Sequence, residues 1–157
     1  MKSHSSGAVI GNSKIGGLAG QNSLEITDSY STMNVSGDSS VGGLVGSNWK
    51  DYRGAYTDNQ HYLTRCYSTG EVTGTKDIGG LVGKGSTDLA TACFWDTRTS
   101  GLSTSAGGEG KTTDEMQTAI TFLDAGWDFV DEIENGTEDI WWILEGQDYP
   151  RLWWEAE

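Results

Sequence analysis

Proline is nearly missing from this chain, which has one among 157 residues. That excludes a polyproline or collagen-like chain despite its 23 glycines. Two cysteines, Cys66 and Cys93, are too few for a disulfide-built scaffold. They lack CxxC or histidine spacing and so carry no zinc or redox signature. Basic residues are also scarce, with ten Lys and Arg against 23 Asp and Glu. Nucleic acids and anionic membranes both require basic patches, so neither a nucleic-acid partner nor membrane insertion is expected. No apolar run is long enough to span a bilayer or to serve as a signal peptide at the N-terminus. The two histidines, His4 and His61, fall in a ragged terminus and in an insertion, with no catalytic-triad context.

What is present is uneven. Residues 1–101 carry eight basic and nine acidic residues, whereas residues 102–157 carry two and fourteen. The composition therefore divides the chain into 1–101 and 102–157. Hydrophobic residues make up 35% of the chain, enough for a thin, elongated core, and Ser, Thr, Asn and Gly fill the remainder as in turn-rich all-β proteins.

Self-comparison is the most informative operation. "SSGAVIGNSKIGGLAG" (5–20), "STMNVSGDSSVGGLVG" (31–46) and "STGEVTGTKDIGGLVG" (68–83) align without gaps. A second word precedes two of them, "ITDSYST" (26–32) and "LTRCYST" (63–69), and a decayed copy, "ATACFWDT" (90–97), follows the third. A unit of about 26 residues repeats, and the second carries about eleven more within "NWKDYRGAYTDNQHYL". Short β-prone runs between Gly, Asn, Asp and Ser turns predict an all-β parallel β-helix, or β-solenoid, of about three to four coils. Ile15, Val41 and Ile78 then form one ladder, and Leu18, Leu44 and Leu81 a second. Ser29, Cys66 and Cys93 form a third beside Tyr30, Tyr67 and Phe94. Which ladder faces inward is open. Recurring glycines mark either bends with positive φ or places where a Cβ would clash.

The words "VGGLVGSN", "LTRCYSTGEVTG" and "IGGLVG" resemble the GLUG motif, a tandem repeat of large bacterial surface and secreted proteins. The resemblance covers roughly residues 5–97. It implies a β-helical fold and an extracellular or cell-surface, adhesin-like context, and it implies no catalytic residues. The long insertion departs from the compact unit of the family. "SSGAVIG" matches the second half of a unit, so the chain reads as starting inside a coil, or as opening with a diverged coil at "MKSH". An open first coil offers an unpaired edge for self-association.

Residues 102–157 read as an acidic, Trp-rich C-terminal cap containing a short helix. In "KTTDEMQTAITFLDAGW", Thr112 and Glu115 fit a capping box and Gly126 a stop, with Met116, Ile120 and Leu123 on one face. Extended pieces follow with Trp127, Trp141, Trp142, Trp153 and Trp154, which are read as lid packing in preference to a sugar platform.

Candidate chemistry is sparse. "SAGGEGKTT" (105–113) ends like a phosphate-binding loop, but Ser105 stands where the first glycine is required and no apolar strand precedes it. It is read as a glycine linker into a helix. "DFVDEIENGTED" (128–139) concentrates carboxylates without EF-hand spacing. It is read as a solvated loop, compatible with calcium but naming no ligand set. No catalytic, cofactor-binding or metal residues are assigned. The insertion, 48–62, is the candidate contact surface for a protein or glycan partner. Trp49, Tyr52, Arg53, Tyr56 and Tyr62 mix flat aromatics with a guanidinium, which suits sugars or protein surfaces. The expectation is a non-catalytic structural and adhesive module. A carbohydrate-binding module and a polysaccharide-degrading β-helix are the alternatives.

Overall fold

The structure, a computed structural model, describes residues 2–49 and 62–155. Its contacts divide the chain into two compact units, Met1–Gly110 and Lys111–Glu157.

The first unit is built from three sets of strands visited in a fixed order. The first round contains β1 (Ser3–Ser5), β2 (Ala8–Gly16) and β3 (Ala19–Asn22), and the second β4 (Ile26–Ser31), β5 (Asn34–Gly42) and β6 (Val45–Asn48). The third contains β7 (Leu63–Ser68), β8 (Val72–Thr73), β9 (Lys76–Gly79) and β10 (Val82–Gly85). β11 (Ala90–Thr91), β12 (Phe94–Asp96) and β13 (Glu109–Lys111) follow. One sheet runs β1-β4-β7-β12-β13 with β11 also on β7; a second runs β2-β5-β8 with β9 on β5; a third runs β3-β6-β10. The pairings between successive rounds are parallel, and their register reproduces the alignment of the sequence words. Ile15 faces Val41 and Val41 faces Ile78; Ser29 faces Cys66; Tyr30 faces Tyr67 and Tyr67 faces Phe94.

The aliphatic ladders and the cysteines pack into two clusters, and Tyr30, Tyr67 and Phe94 are buried as well. Leu44, Leu81, Val45, Val82, Leu63, Cys66 and Cys93 form one, with Leu18 packed on it. Val35, Val41 and Val72 form the other, with Ile15 and Ile78 packed on it. The terminus expected to be ragged is instead a copy of the strand word. Ser3–Ser5 pairs with Ser29–Ser31, and the His4 ring stacks on Tyr30 at 5.2 Å, which in turn stacks on Tyr67 at 4.9 Å.

The paired glycines and the bends turn out to be different residues. Gly16, Gly42 and Gly79 have ordinary φ; they are glycine because neighbouring backbone occupies the Cβ position. A Cβ on Gly16 would lie 2.6 Å from the amide nitrogen of Gly46, and one on Gly42 would lie 2.6 Å from that of Gly83. The left-handed corners are made by non-glycine residues in register: Lys14, Ser40 and Asp77 at φ of 54°, 54° and 53°, and Asp28, Arg65 and Ala92 at 47°, 49° and 52°. Each such residue costs about 1–2 kcal/mol in isolation, so the corners are held by the ladders around them. Side chains close some of them. Lys14 donates to Gln21 at 2.8 Å, and Asp77 pairs with Lys84 at 3.2 Å. Arg65 grips Asp28 of the previous round with two nitrogens, at 2.6 and 3.1 Å.

Residues 102–110, expected in the C-terminal cap, fall within the first unit. The Leu44 carbonyl accepts the amides of Leu18 and Ala19, and the Leu81 carbonyl accepts those of Leu44 and Val45. At the next level the acceptor for Leu81 and Val82 is the hydroxyl of Ser105. Ala106 and Glu109 then donate to the carbonyls of Val82 and Cys93. Trp95, buried and donating to the Leu102 carbonyl at 3.0 Å, lies over Gly80 where earlier rounds place Ser31 and Ser68. A four-residue helix, α1 (Thr97–Ser100), is capped by Asp96 and ends at Gly101 with φ 73°.

In the second unit the single expected helix is two: α2 (Thr113–Met116) and α3 (Ala119–Leu123). The capping box of Thr112 and Glu115 is present. The helix breaks because the Thr118 hydroxyl bonds back to the Asp114 carbonyl at 2.7 Å while its amide takes the Glu115 carbonyl. The break rotates the buried face. Met116 and Phe122 are buried, whereas Ile120, expected on the core face, is 55% exposed. Gly126, at φ 80°, is the stop: its amide bonds Leu123 and that of Trp127 bonds Phe122, a Schellman motif. Trp127 packs on Phe122 at 4.8 Å and on Trp141 at 4.5 Å. β14 (Trp141–Trp142) and β15 (Arg151–Leu152) form an antiparallel pair beside them.

Candidate functional site

The insertion is anchored at both ends by ladder positions. Asn48, buried, accepts a hydrogen bond from the Asn22 side chain at 3.0 Å, and Leu63 is in register with Ile26. The second round thus leaves through the position of Asn22 and the third begins at the position of Ile26. In the preceding round the same two positions are joined by Ser23, Leu24 and Glu25 alone.

Of the residues expected to make contacts, Trp49 and Tyr62 sit at these anchored ends. Trp49 is 45% exposed, with the Lys84 ammonium 6.0 Å from its ring centroid. Tyr62 is half-buried, and its carbonyl accepts the Ile26 amide at 2.9 Å. Tyr52, Arg53 and Tyr56 lie outside the described residues.

The tryptophans of the second unit, all expected as lid packing, divide into two kinds. Trp127 and Trp141 are buried, whereas Trp153 and Trp154 are 52% and 44% exposed, their rings at 85° to each other. Trp153 and Trp142, with Val130, Glu138 and Asp139, line an open depression of about 580 Å³. Its walls are fixed by backbone bonds: Val130 to Trp141 at 2.7 Å, and Trp153 to Ile140 at 3.0 Å. The signal was available as "WW" beside an acidic run, but alternation alone does not say which indole turns outward.

The remaining candidates have structural duties. In "SAGGEGKTT" the glycines are packed against the unit: a Cβ on Gly107 would meet Ala90, one on Gly108 the Leu81 side chain, and one on Gly110 the Trp95 ring. The segment therefore fills space that a phosphate cradle would leave open. In the acidic stretch, Asp128 is buried and accepts the Glu138 amide at 2.9 Å, while Glu132 accepts those of Phe129, Glu134 and Asn135. These two carboxylates hold the loop's own backbone, which corrects the reading of the whole stretch as solvated. Among the described residues, no three His, Cys, Asp or Glu are grouped to hold a metal ion.

Cys66 and Cys93 are free and buried. Each thiol donates to the carbonyl two residues earlier, Thr64 at 3.3 Å and Thr91 at 3.2 Å, as the Ser29 hydroxyl does to Thr27 at 2.8 Å. The residue between donor and acceptor is the left-handed one, so the side chain satisfies the carbonyl that the corner turns inward. Burial, and then the hydrogen bond to Cys66, push the Cys93 thiol well above its ordinary range.

Compared with known families, residues 11–36 match the GLUG motif, and that segment is one full period of the chain. No curated protein and no solved structure matches the chain.

Proposed function

We propose that this GLUG-motif chain is a non-catalytic structural and adhesive module of a large extracellular bacterial protein. In this reading residues 2–110 are successive coils of a β-solenoid, and the insertion at 49–62 is the loop it presents. The observation that carries the reading is the constant register. Ile15, Val41 and Ile78 stack in one ladder although the offset between rounds changes from 26 to 37. A solenoid that advances by one strand spacing per round accounts for ladders that persist while its loops vary in length. Support for non-catalytic use comes from acids with structural employment, such as Asp28, Asp77 and Asp96. The described helices include none long and apolar enough to cross a membrane.

The test replaces residues 49–62 by Ser-Leu-Glu, the link used one round earlier. The variant is expected to unfold at the same urea concentration and to lose attachment to a glycan array or host-cell surface that the parent binds. Undiminished attachment by the shortened variant would remove the loop from the account. Release of new reducing ends from a polysaccharide panel would instead establish the hydrolase alternative.

Self-association belongs to the same proposal. β1, β2 and β3 are edge strands of their sheets among the described residues, and such edges add strands from a second copy. Sedimentation that stays monomeric at every concentration would rule this out.

A further inference from the structure

Ladder register brings the two cysteines together although no sequence spacing links them. Thr64 faces Thr91 and Tyr67 faces Phe94, so Cys66 and Cys93 stand at adjacent levels of one ladder. Both are buried, and the two thiols are within hydrogen-bonding reach of each other. Ile26, Leu44, Leu63 and Leu81 belong to the same apolar cluster. Among the described residues no third His, Cys, Asp or Glu joins the pair.

Corresponding side chains of neighbouring parallel strands point the same way, about 4.8 Å apart. A disulfide requires Cβ atoms about 3.8 Å apart, so the ladder spacing is wide for a direct S–S bond. A metal–thiolate bond is about 2.3 Å long, and two in line span about 4.6 Å. That span matches the ladder, so an ion between the two sulfurs asks little movement of the strands. The donor set then selects the ion. Calcium and magnesium need a shell of oxygen ligands, and structural zinc needs a tetrahedron of donors. Two facing sulfurs in apolar surroundings suit a soft ion that accepts linear coordination. Charge narrows the class further. Two thiolates around a divalent ion are neutral, whereas a monovalent ion leaves a buried charge. Binding forfeits only the weak thiol hydrogen bonds to the Thr64 and Thr91 carbonyls, at 3.3 and 3.2 Å, and the longer one from Cys66 to Ile26.

We propose that Cys66 and Cys93 form a binding site for a soft, two-coordinate metal ion, held between successive rounds of the first unit. The mercuric ion is a member of this class that leaves the site neutral. It bonds to both sulfurs and the two thiol protons go to solvent, with no change of oxidation state. The site is distinct from the insertion and does not depend on what the insertion binds.

The probe is the mercuric ion, added in slight excess to the reduced, folded full chain and read by native mass spectrometry. One ion per chain with the loss of two protons is expected, together with a sulfur-to-metal absorption band in the ultraviolet. Because the ion ties adjacent rounds, the urea midpoint should rise. Cys66→Ser and Cys93→Ser should each weaken binding by more than about a hundredfold, the upper loss that an outer partner of a metal already brings. Ser29 in the same ladder shows that serine fits there, and the urea midpoint of each variant without metal reports that it is folded. A large excess of zinc or calcium should not displace the ion. Refolding from urea with mercury present repeats the measurement with the core opened, so slow entry does not hide the site. The proposal is overturned if neither route gives a bound ion, or if each cysteine takes an ion of its own. It is equally overturned if mercury joins two chains, if binding lowers the urea midpoint, or if either single variant binds like the parent.

Discussion

The hydroxyl of Ser105 accepts the amide of Val82 at 2.9 Å and donates back to the Val82 carbonyl at 3.2 Å. With the Leu81 amide also on Ser105, one side chain replaces the leucine carbonyl that serves each earlier round. Leu81 and Val82 are fully buried, so their amides have no water to turn to. Ser105→Ala is therefore expected to cost about 1–3 kcal/mol, read as a lowered urea midpoint with an unchanged slope. A midpoint within error of the parent would show that Ser105 does not close this end.

The paired glycines and the left-handed corners respond oppositely to substitution. A Cβ on Gly43 would press on the Gly80 carbonyl and lie 2.8 Å from the Ser68 hydroxyl. Gly43→Ala should then destabilise by about 1–3 kcal/mol or more. Ala92 sits at φ 52°, where glycine removes the steric penalty at some cost in chain entropy. Ala92→Gly should be neutral to mildly stabilising, and Ala92→Val destabilising by about 1–2 kcal/mol. Thermal melts of the three variants decide it, and equal losses at both positions would contradict the distinction.

Asp28 is 6% exposed in its side chain and held by Arg65 of the following round. Removing Arg65 strands a nearly buried carboxylate, whereas removing the Asp28 charge leaves a part-exposed guanidinium facing a neutral group. Asp28→Asn keeps a residue tolerant of the left-handed region and so isolates the electrostatic part. A loss of about 1–3 kcal/mol is expected, part of which should be recovered in the double variant with Arg65→Gln. A double-mutant cycle with no coupling would show the pair to be energetically idle.

The Cys93 thiol is raised mainly by burial, so folding favours its protonated form. Its contribution is complete below the unfolded thiol value of about 8.5 and is lost as pH rises through the elevated folded value. Stability should fall on the alkaline side of about pH 8.5, more steeply in the parent than in Cys93→Ser. Urea melts across that range test the slope. Identical slopes would mean that Cys93 is not linked to folding. Ser is the informative replacement because Ser29 already fills the equivalent place two rounds earlier in the same ladder.

Most of the first unit was legible because a ladder is a repeat seen edge-on. Ile15, Val41 and Ile78 could be aligned before any strand was known. The corners were not legible. Lys14, Ser40 and Asp77 share a backbone conformation but no chemistry, so comparing letters gives no hint of them. Ser105 is not legible for a related reason: a side-chain oxygen does the work of a main-chain one, and no word is repeated. In the second unit the apolar spacing of Met116, Ile120 and Leu123 suggested one helix, and a local bond from Thr118 interrupted it. Of the candidate contact surface only the ends are legible, since Asn48 and Leu63 hold ladder positions. The exposed indole of Trp153 depends on how a short hairpin turns, which alternation in so few residues leaves undetermined.

Asn48 and Leu63 keep their ladder positions on either side of the insertion. Eleven residues, the difference between the two offsets, enter between those anchors without altering the pairing of β6 or β7 with the strands before and after them. Replacing that stretch is therefore expected to leave both pairings in place. A foreign segment spliced between the same anchors is expected to leave β6 and β7 paired, an outcome that unfolding midpoints of such chimaeras would check.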